Sequence, residues 1–436
     1  MRKTINYLVQ PDGKLTGRIR VPGDKSISHR AVMLGSLAQG RTRITGLLEG
    51  EDVLCTLGAF RAMGVTMEGP NRGALSIHGA GLHGLQTPTT PLDMGNSGTA
   101  MRLLAGILAG QQFDSELTGD ESLNRRPMER VAEPLRRMGA VINTAAGGHP
   151  PLKIKGGQKL RGIEYPMPVV SAQVKSCLLL AGLYAEGETM VSEPAPTRDH
   201  TERMLRGFGY SVLTQGARIC LRGGGKLQAC KIDVPADVSS AAFFLVGASI
   251  APGSDLVLEH VGVNPTRTGA LNILKLMGAN LELINRREVG GEPVADIRVR
   301  AARLHGIRMP AEQVPLAIDE FPALFIAAAC AEGETVLTGA QELRVKESDR
   351  IAVMAQGLTR LGIEAMETPD GIVIQGGRFR GGVVDSHGDH RAAMAFAVAG
   401  LRATGPVTVS ECQNVSTSFP GFVELAARAG LSINIE

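Results

Sequence analysis

The chain has no tryptophan, and aromatic residues of every kind fill only 3% of its 436 positions. Single-stranded nucleic acid is held on interleaved aromatic platforms, and four scattered tyrosines do not form one. A dominant sign of charge is also missing: 46 lysines and arginines face 43 aspartates and glutamates, a formal net charge of +3. So small an excess gives the whole molecule little pull toward nucleic acid or an anionic bilayer, and any anion site must be local. The six cysteines, at positions 55, 177, 220, 230, 330 and 412, form no CxxC pair. That spacing argues against a structural zinc site and a dense disulfide scaffold, and no metal is expected. Apolar runs such as CLLLAGLYA are too short to span a bilayer, and the opening MRKTINYLVQPDGKL lacks a signal-peptide core. These absences point to a cytoplasmic protein that works on small molecules.

What the chain does have is glycine, 55 in all, and repetition. Its length predicts two or more domains. A glycine that follows a helix-like alanine or leucine run and precedes an extended apolar stretch recurs at Gly40, Gly110, Gly187, Gly253, Gly333 and Gly405. Each is followed by a second glycine at the end of another amphipathic run: Gly64, Gly139, Gly209, Gly278, Gly362 and Gly430. The repeated unit reads as a helix closed by glycine, a strand, a second helix closed by glycine, and further strands. Six copies fit the chain. Repetition alone suits a linear stack as well as two closed bodies. The grouping adopted here is three copies per domain, with an N-terminal domain over 22–240 and a C-terminal domain over 241–436 completed by residues 1–21.

Chemistry gathers at helix starts. In VPGDKSISHRAVML, Asp24 or Ser26 is placed to cap a helix whose apolar face holds Ile27, Ala31 and Leu34, while Lys25 and Arg30 add full charge to an anion-favouring helix N-terminus. In MGNSGTAMRLL, Gly95, Asn96, Ser97, Gly98 and Thr99 precede a helix carrying Arg102, and the glycines allow a ligand close to the backbone. GDESLNRRPM sets Arg125 and Arg126 in a loop, and SAQVKS opens a buried helix with Ser171, Gln173 and Lys175. In the second half, IDEFP brings Asp319 and Glu320 to a helix start, where capping accounts for at least one carboxylate. RVKESDR offers Arg344, Lys346, Glu347 and Arg350, with Glu347 and Arg350 three apart on one face. SHGDHR places Asp389, His390 and Arg391 at another helix start. Opposed across a cleft between the domains, these groups are expected to focus positive potential on an anionic substrate.

Taken in order, PGDKSISHR, GNSGTAMR, GDESLNRRPM, SAQVKS, EPAPTRDHTERML, NPTRTG, IDEFP, RVKESDR and DHR resemble the 5-enolpyruvylshikimate-3-phosphate synthases over almost the whole chain. The resemblance implies an α/β enolpyruvyl transferase fold: six βαβαββ repeats, three in each of two hinged domains, arranged as an inside-out α/β barrel. It implies transfer of the enolpyruvyl group of phosphoenolpyruvate to the 5-hydroxyl of shikimate 3-phosphate by addition and elimination, without a cofactor, in a monomer. It assigns Lys25, Ser26, Arg30, Ser171, Ala172, Gln173, Arg198, Asp319 and Lys346 to shikimate 3-phosphate. Lys25, Asn96, Gly98, Arg126, Gln173, Glu347, Arg350 and Arg391 go to phosphoenolpyruvate. Asp319, Glu347 and Lys25 carry the proton transfers in that assignment. The related UDP-N-acetylglucosamine enolpyruvyl transferases place a cysteine in the loop that here reads GDESLNRRPM, which has none. Two departures from the family pattern stand out. QNVSTSFPGF has Ser416 and Thr417 where many members carry a lysine, and Leu103 stands where many carry a proline.

Overall fold

A computed structural model describes residues 4–436. Among these residues twelve α-helices alternate with short strands: α1 Lys25–Leu37, α2 Glu51–Ala62, α3 Gly98–Leu108, α4 Glu129–Arg137, α5 Ala172–Gly182, α6 His200–Gly207, α7 Val238–Ile250, α8 Gly269–Leu276, α9 Phe321–Ala329, α10 Arg350–Arg360, α11 His390–Ala399 and α12 Phe422–Ala429. The repeat is therefore two helices long. Ten of the twelve repeat glycines sit in the left-handed region, among them Gly64 at φ +84° and Gly430 at φ +115°, where an L side chain would be strained. Gly110 and Gly405 are the exceptions. At Gly110 the demand is for space instead, since a Cβ there would lie 2.2 Å from the Tyr184 ring.

The chain divides into two compact units. One comprises residues 23–234 with 289–291, and the other the N-terminal segment through Pro22 together with 235–288 and 292–436. The expected boundary after residue 240 falls inside α7 and is corrected by this division. The chain changes units at Pro22/Gly23 and again at Val234/Pro235, and the sequence marks both places alike. VPGD and VPAD each place an aspartate that caps the next helix: Asp24 Oδ1 accepts from the Ile27 amide at 2.9 Å, and Asp237 Oδ1 from the Ser239 amide at 2.8 Å.

In the unit containing residues 235–288, helices α7, α9 and α11 pack on one another and every residue of each is buried. Their all-round apolar surface, in sequences such as FPALFIAAA, requires burial on every side rather than one wet face. In the other unit α3 and α5 play the same part. Gly106 lets them approach, because a Cβ there would lie 2.2 Å from the Cys177 carbonyl oxygen. Helix α1 is buried from Ile27 to Leu37, polar residues included, so it is not the one-sided helix its apolar spacing suggests. The second helix of each repeat buries one face only, as α4 does through Val131, Ala132, Pro134 and Leu135. With helices inside and sheets outside, each unit is an inside-out α/β barrel.

Among the described residues six sheets clothe the helices, five of four strands and one of three. In a representative sheet Leu92–Asp93 runs parallel to Ser115–Thr118, which pairs antiparallel with His149–Lys155, itself antiparallel to Val141–Ala145. The register sets Leu117 opposite Leu152 and Ile142 opposite Ile154, so that one face is apolar and buried. The fifth repeat departs from the six-copy reading: the parallel strand of its sheet shrinks to isolated bridges, His305 with Glu332 and Arg308 with Val336.

Each unit closes on itself by borrowing a strand. Thr16–Ile19 precedes α1 in the chain yet pairs in parallel with Asp255–Gly262, while Lys231–Asp233 precedes α7 yet pairs in parallel with Gln39–Thr45. Tyr7–Val9 lies between Val407–Ser410 and Ile433–Ile435, completing the sheet of the sixth repeat. Such closure excludes a linear stack.

Candidate active site

The expected site residues form two groups, one on each unit. On the unit of residues 23–234, Lys25 opens α1 and its ammonium lies 3.0 Å from Asp52 Oδ2 at the start of α2. Ser26 is half-buried and its carbonyl oxygen accepts from the Arg30 guanidinium at 2.9 Å. Arg30 is buried and also donates to Thr201 Oγ1 and Ser176 Oγ, each at 2.7 Å. Between these cations, His29 is enclosed completely. Its Nδ1 lies 2.8 Å from Thr56 Oγ1 and its Nε2 3.4 Å from Ser97 Oγ. Burial, then the charges of Lys25 and Arg30, hold its pKa well below the usual value, so the imidazole is neutral.

Ser97 caps α3 by accepting from the Ala100 amide at 3.1 Å, which places Gly98 at the first turn. A Cβ on Gly98 would lie 3.2 Å from an Arg102 nitrogen and 3.3 Å from an Arg126 nitrogen. Two guanidiniums therefore flank a helix N-terminus, an arrangement suited to an anion. Arg126 lies in a loop as expected, just after the 3₁₀ turn Leu123–Arg125, but it is buried there, whereas Arg125 pairs with exposed Glu121. Arg126 donates to Asn96 Oδ1 at 2.6 Å, and the Asn96 amide in turn donates to Asp120 Oδ2 at 2.8 Å. Arg102 donates to Gln173 Oε1 at 2.6 Å, and Gln173 donates to Thr99 Oγ1 at 2.9 Å. Ser171 caps α5 through the Val174 amide at 3.3 Å, with Ala172 and Gln173 in the first turn. Arg198, half-buried, precedes the capping position of α6.

On the other unit, Arg350 is fully buried at the start of α10 and meets three carboxylates. Its Nε donates to Asp389 Oδ2 at 2.8 Å, one terminal nitrogen to Glu347 Oε2 at 2.5 Å, and the other lies 3.6 Å from Asp319 Oδ1. Lys346 Nζ lies 3.4 Å from the same Asp319 oxygen. Asp389 also caps α11, accepting from the Arg391 amide at 2.8 Å. Burial pushes the Asp389 carboxyl upward, but attraction and hydrogen bonding from Arg350 outweigh it and leave its pKa below the ordinary value. Arg391 is buried, and no hydrogen-bond or ion-pair partner engages its guanidinium among the described residues.

Asp319 and Glu320 divide their work, and Glu320, at the capping position of α9, makes no capping bond with its side chain. Glu320 is buried, accepts from Ser239 Oγ and lies 3.7 Å from Arg267, so its role is structural. The Asp319 side chain keeps 15% exposure.

A family model described as EPSP synthase (3-phosphoshikimate 1-carboxyvinyltransferase) matches residues 9–425. The chain belongs to the EPSP synthase family. It is 67% identical to a 3-phosphoshikimate 1-carboxyvinyltransferase of Methylococcus capsulatus over 99% of both chains. It is 66% identical to that of Nitrosococcus oceani, covering 99% of this chain and 97% of the relative. An EPSP synthase structure from Acinetobacter baumannii superposes with a TM-score of 0.90 at 60% identity, over the whole of both chains. As an EPSP synthase, the chain is an enzyme of the shikimate pathway that transfers a carboxyvinyl group. Among the described residues, no helix is long and apolar enough to cross a membrane.

Three residues of this EPSP synthase were given no role toward either substrate by the sequence, although Arg102 and Asp389 were noted at helix starts. Arg102 follows Gly98 by four residues, one helical turn, and that spacing was a usable signal. Asp52 had none, because its proximity to Lys25 depends on how α2 packs on α1. Asp389 reads as a cap, and its bond to Arg350 is purely tertiary. At the departure from the family pattern, Thr417 is buried and donates to the Asn414 carbonyl at 2.7 Å, while half-buried Ser416 donates to the Gln413 carbonyl at 3.1 Å.

Proposed function

We propose that the two groups serve one addition–elimination reaction between shikimate 3-phosphate and phosphoenolpyruvate. Asp319 takes the proton of the 5-hydroxyl as that oxygen attacks C2 of phosphoenolpyruvate. Glu347 delivers a proton to the methylene carbon and removes one from it during elimination, while Lys25 protonates the bridging oxygen as phosphate departs. The donor carries a phosphate of roughly −1.5 to −2 charge and a carboxylate. Arg126, Arg350 and Arg391, with Lys25, the α3 amides near Gly98, Asn96 and Gln173, supply the opposing charge and donors. Lys25, Ser26, Arg30, Ser171, Ala172, Gln173, Arg198, Asp319 and Lys346 take the acceptor.

The observation that supports these roles best is the contrast within IDEFP. Glu320 is sealed in a buried network, whereas Asp319 remains reachable and is steadied by Lys346 at 3.4 Å and Arg350 at 3.6 Å. A positioned carboxylate of this kind is a general base whose loss costs about 10²- to 10⁴-fold in rate. Asp319→Asn is therefore expected to lower kcat by at least about 10²-fold while shikimate 3-phosphate still binds in a calorimetric titration. Near-native turnover across the active pH range would remove Asp319 from this role. In this reading the enzyme works in the cytoplasm as a monomer on small molecules.

A further inference from the structure

The SAQVKS helix carries a lysine that the reaction does not use. Lys175 is 1% exposed, yet its ammonium lies 2.7 Å from Glu202 Oε1 and 3.0 Å from Glu193 Oε2. Thr197 donates to the same Glu193 oxygen at 2.7 Å, so the cluster grips both ends of the segment 193–197 that runs directly into Arg198. The adjacent residues of the same two helices are joined as well. Ser176 and Thr201 share a hydrogen bond of 2.8 Å, and both accept from Arg30. Consecutive residues of α5 thus meet consecutive residues of α6, and Arg30 fastens the pair to α1. Every acceptor-side residue expected on this unit lies on α1, at the start of α5, or just before α6.

We propose that Lys175 is a positioning residue for the acceptor, holding Arg198 and the first turn of α5 in the arrangement that receives shikimate 3-phosphate. This rests on the reading that Arg198 and Gln173 bind that substrate. The physical reason is the expense of the alternative. A buried lysine is retained against its desolvation only when paired, and here one ammonium neutralises carboxylates from two chain segments. Without it, Glu193, whose side chain is only 10% exposed, is left beside buried Glu202, and repulsion between them drives the 193–197 segment away from α6. A surface ion pair could not transmit such a shift, because water would screen it.

The test is a set of variants assayed at saturating levels of the second substrate: Lys175→Met, Lys175→Arg, Glu193→Ala, Thr197→Val and Arg198→Ala. Lys175→Met and Glu193→Ala are expected to raise the KM for shikimate 3-phosphate about tenfold, a loss of about 1.4 kcal/mol in binding, with the phosphoenolpyruvate KM unchanged. Thr197→Val, which keeps every charge and removes one anchoring bond, is expected to shift the same KM less. Lys175→Arg should restore most of the loss. If Lys175→Met fails to fold, Glu193→Ala and Thr197→Val decide the matter. Equal movement of both KM values, or a fall in thermal stability with both KM values native, would overturn the proposal. Arg198→Ala separates the two failures. If it alone raises the acceptor KM, the positioning role is wrong and the site reading stands; if it has no effect, the site reading has failed first.

Discussion

Arg350→Met is the sharpest probe of the electrostatic design. In the native protein one buried guanidinium neutralises Asp389, Glu347 and Asp319, at 2.8, 2.5 and 3.6 Å. Removing it takes from Asp389 the guanidinium that holds it charged, leaving bonds from the amides of Arg391 and Ala392 and from Ser348 Oγ. Breaking a buried pair by deleting one partner costs about 3–5 kcal/mol. At about 2–4 °C per kcal/mol for a unit of this size, Tm at neutral pH is expected to fall by about 6–20 °C. The pH dependence carries the finer signature. In the native protein the Asp389 pKa is depressed, so its contribution is present above the unfolded value and is lost as pH falls through the folded one. Without Arg350, burial and the Glu347 charge dominate, and the folded pKa rises above the unfolded value. The sign of linkage then reverses: the variant gains stability as pH drops from 7 toward 5. Scanning calorimetry across that range, with Arg350→Met/Asp389→Asn as a second background, gives the coupling between the two residues. A small loss at pH 7 with no relative gain in acid would show that Arg350 does not hold these carboxylates charged.

Two further predictions follow from the opposite unit and from the family departure. His29 has a folded pKa well below its unfolded value near 6.5, so the stability it confers is present above that value and falls as pH drops below it, by at most about 1.4 kcal/mol per pH unit. His29→Gln should flatten that fall in denaturant titrations between pH 7 and 5, and an unchanged slope would mean that the native imidazole takes up a proton after all. At the C-terminal turn, Ser416→Lys is expected to fold normally and lower the KM for phosphoenolpyruvate by up to about tenfold, since a charged hydrogen bond contributes about 1–3 kcal/mol before ordering costs. Thr417→Lys must displace a buried hydroxyl bonded to Asn414 and is expected to lower Tm; a stable Thr417→Lys protein with the better donor KM would reverse this assignment.

The sequence by itself determined the period of the fold. Left-handed closure after a helix is cheap only for glycine, so Gly64, Gly139, Gly209, Gly278, Gly362 and Gly430 had to appear wherever a second helix stopped, and all six take positive φ. Capping is equally local: Asp24, Ser97, Ser171 and Asp389 each bond an amide two or three residues ahead, from positions just before apolar runs. The motifs that carry the family resemblance are likewise contiguous strings. Tertiary structure decided everything that joins residues far apart in the chain. No local pattern tells that Thr16–Ile19 and Lys231–Asp233 each leave the helix they precede to complete a distant sheet, because a parallel edge strand is chosen by which sheet lacks a partner. Nor does IDEFP reveal that Glu320 is sealed against Arg267 while its neighbour stays open, or RVKESDR that its second arginine, Arg350, is enclosed by Asp319 and Asp389. Two adjacent carboxylates are equivalent to the sequence. They differ only once packing has removed water from one and left it beside the other.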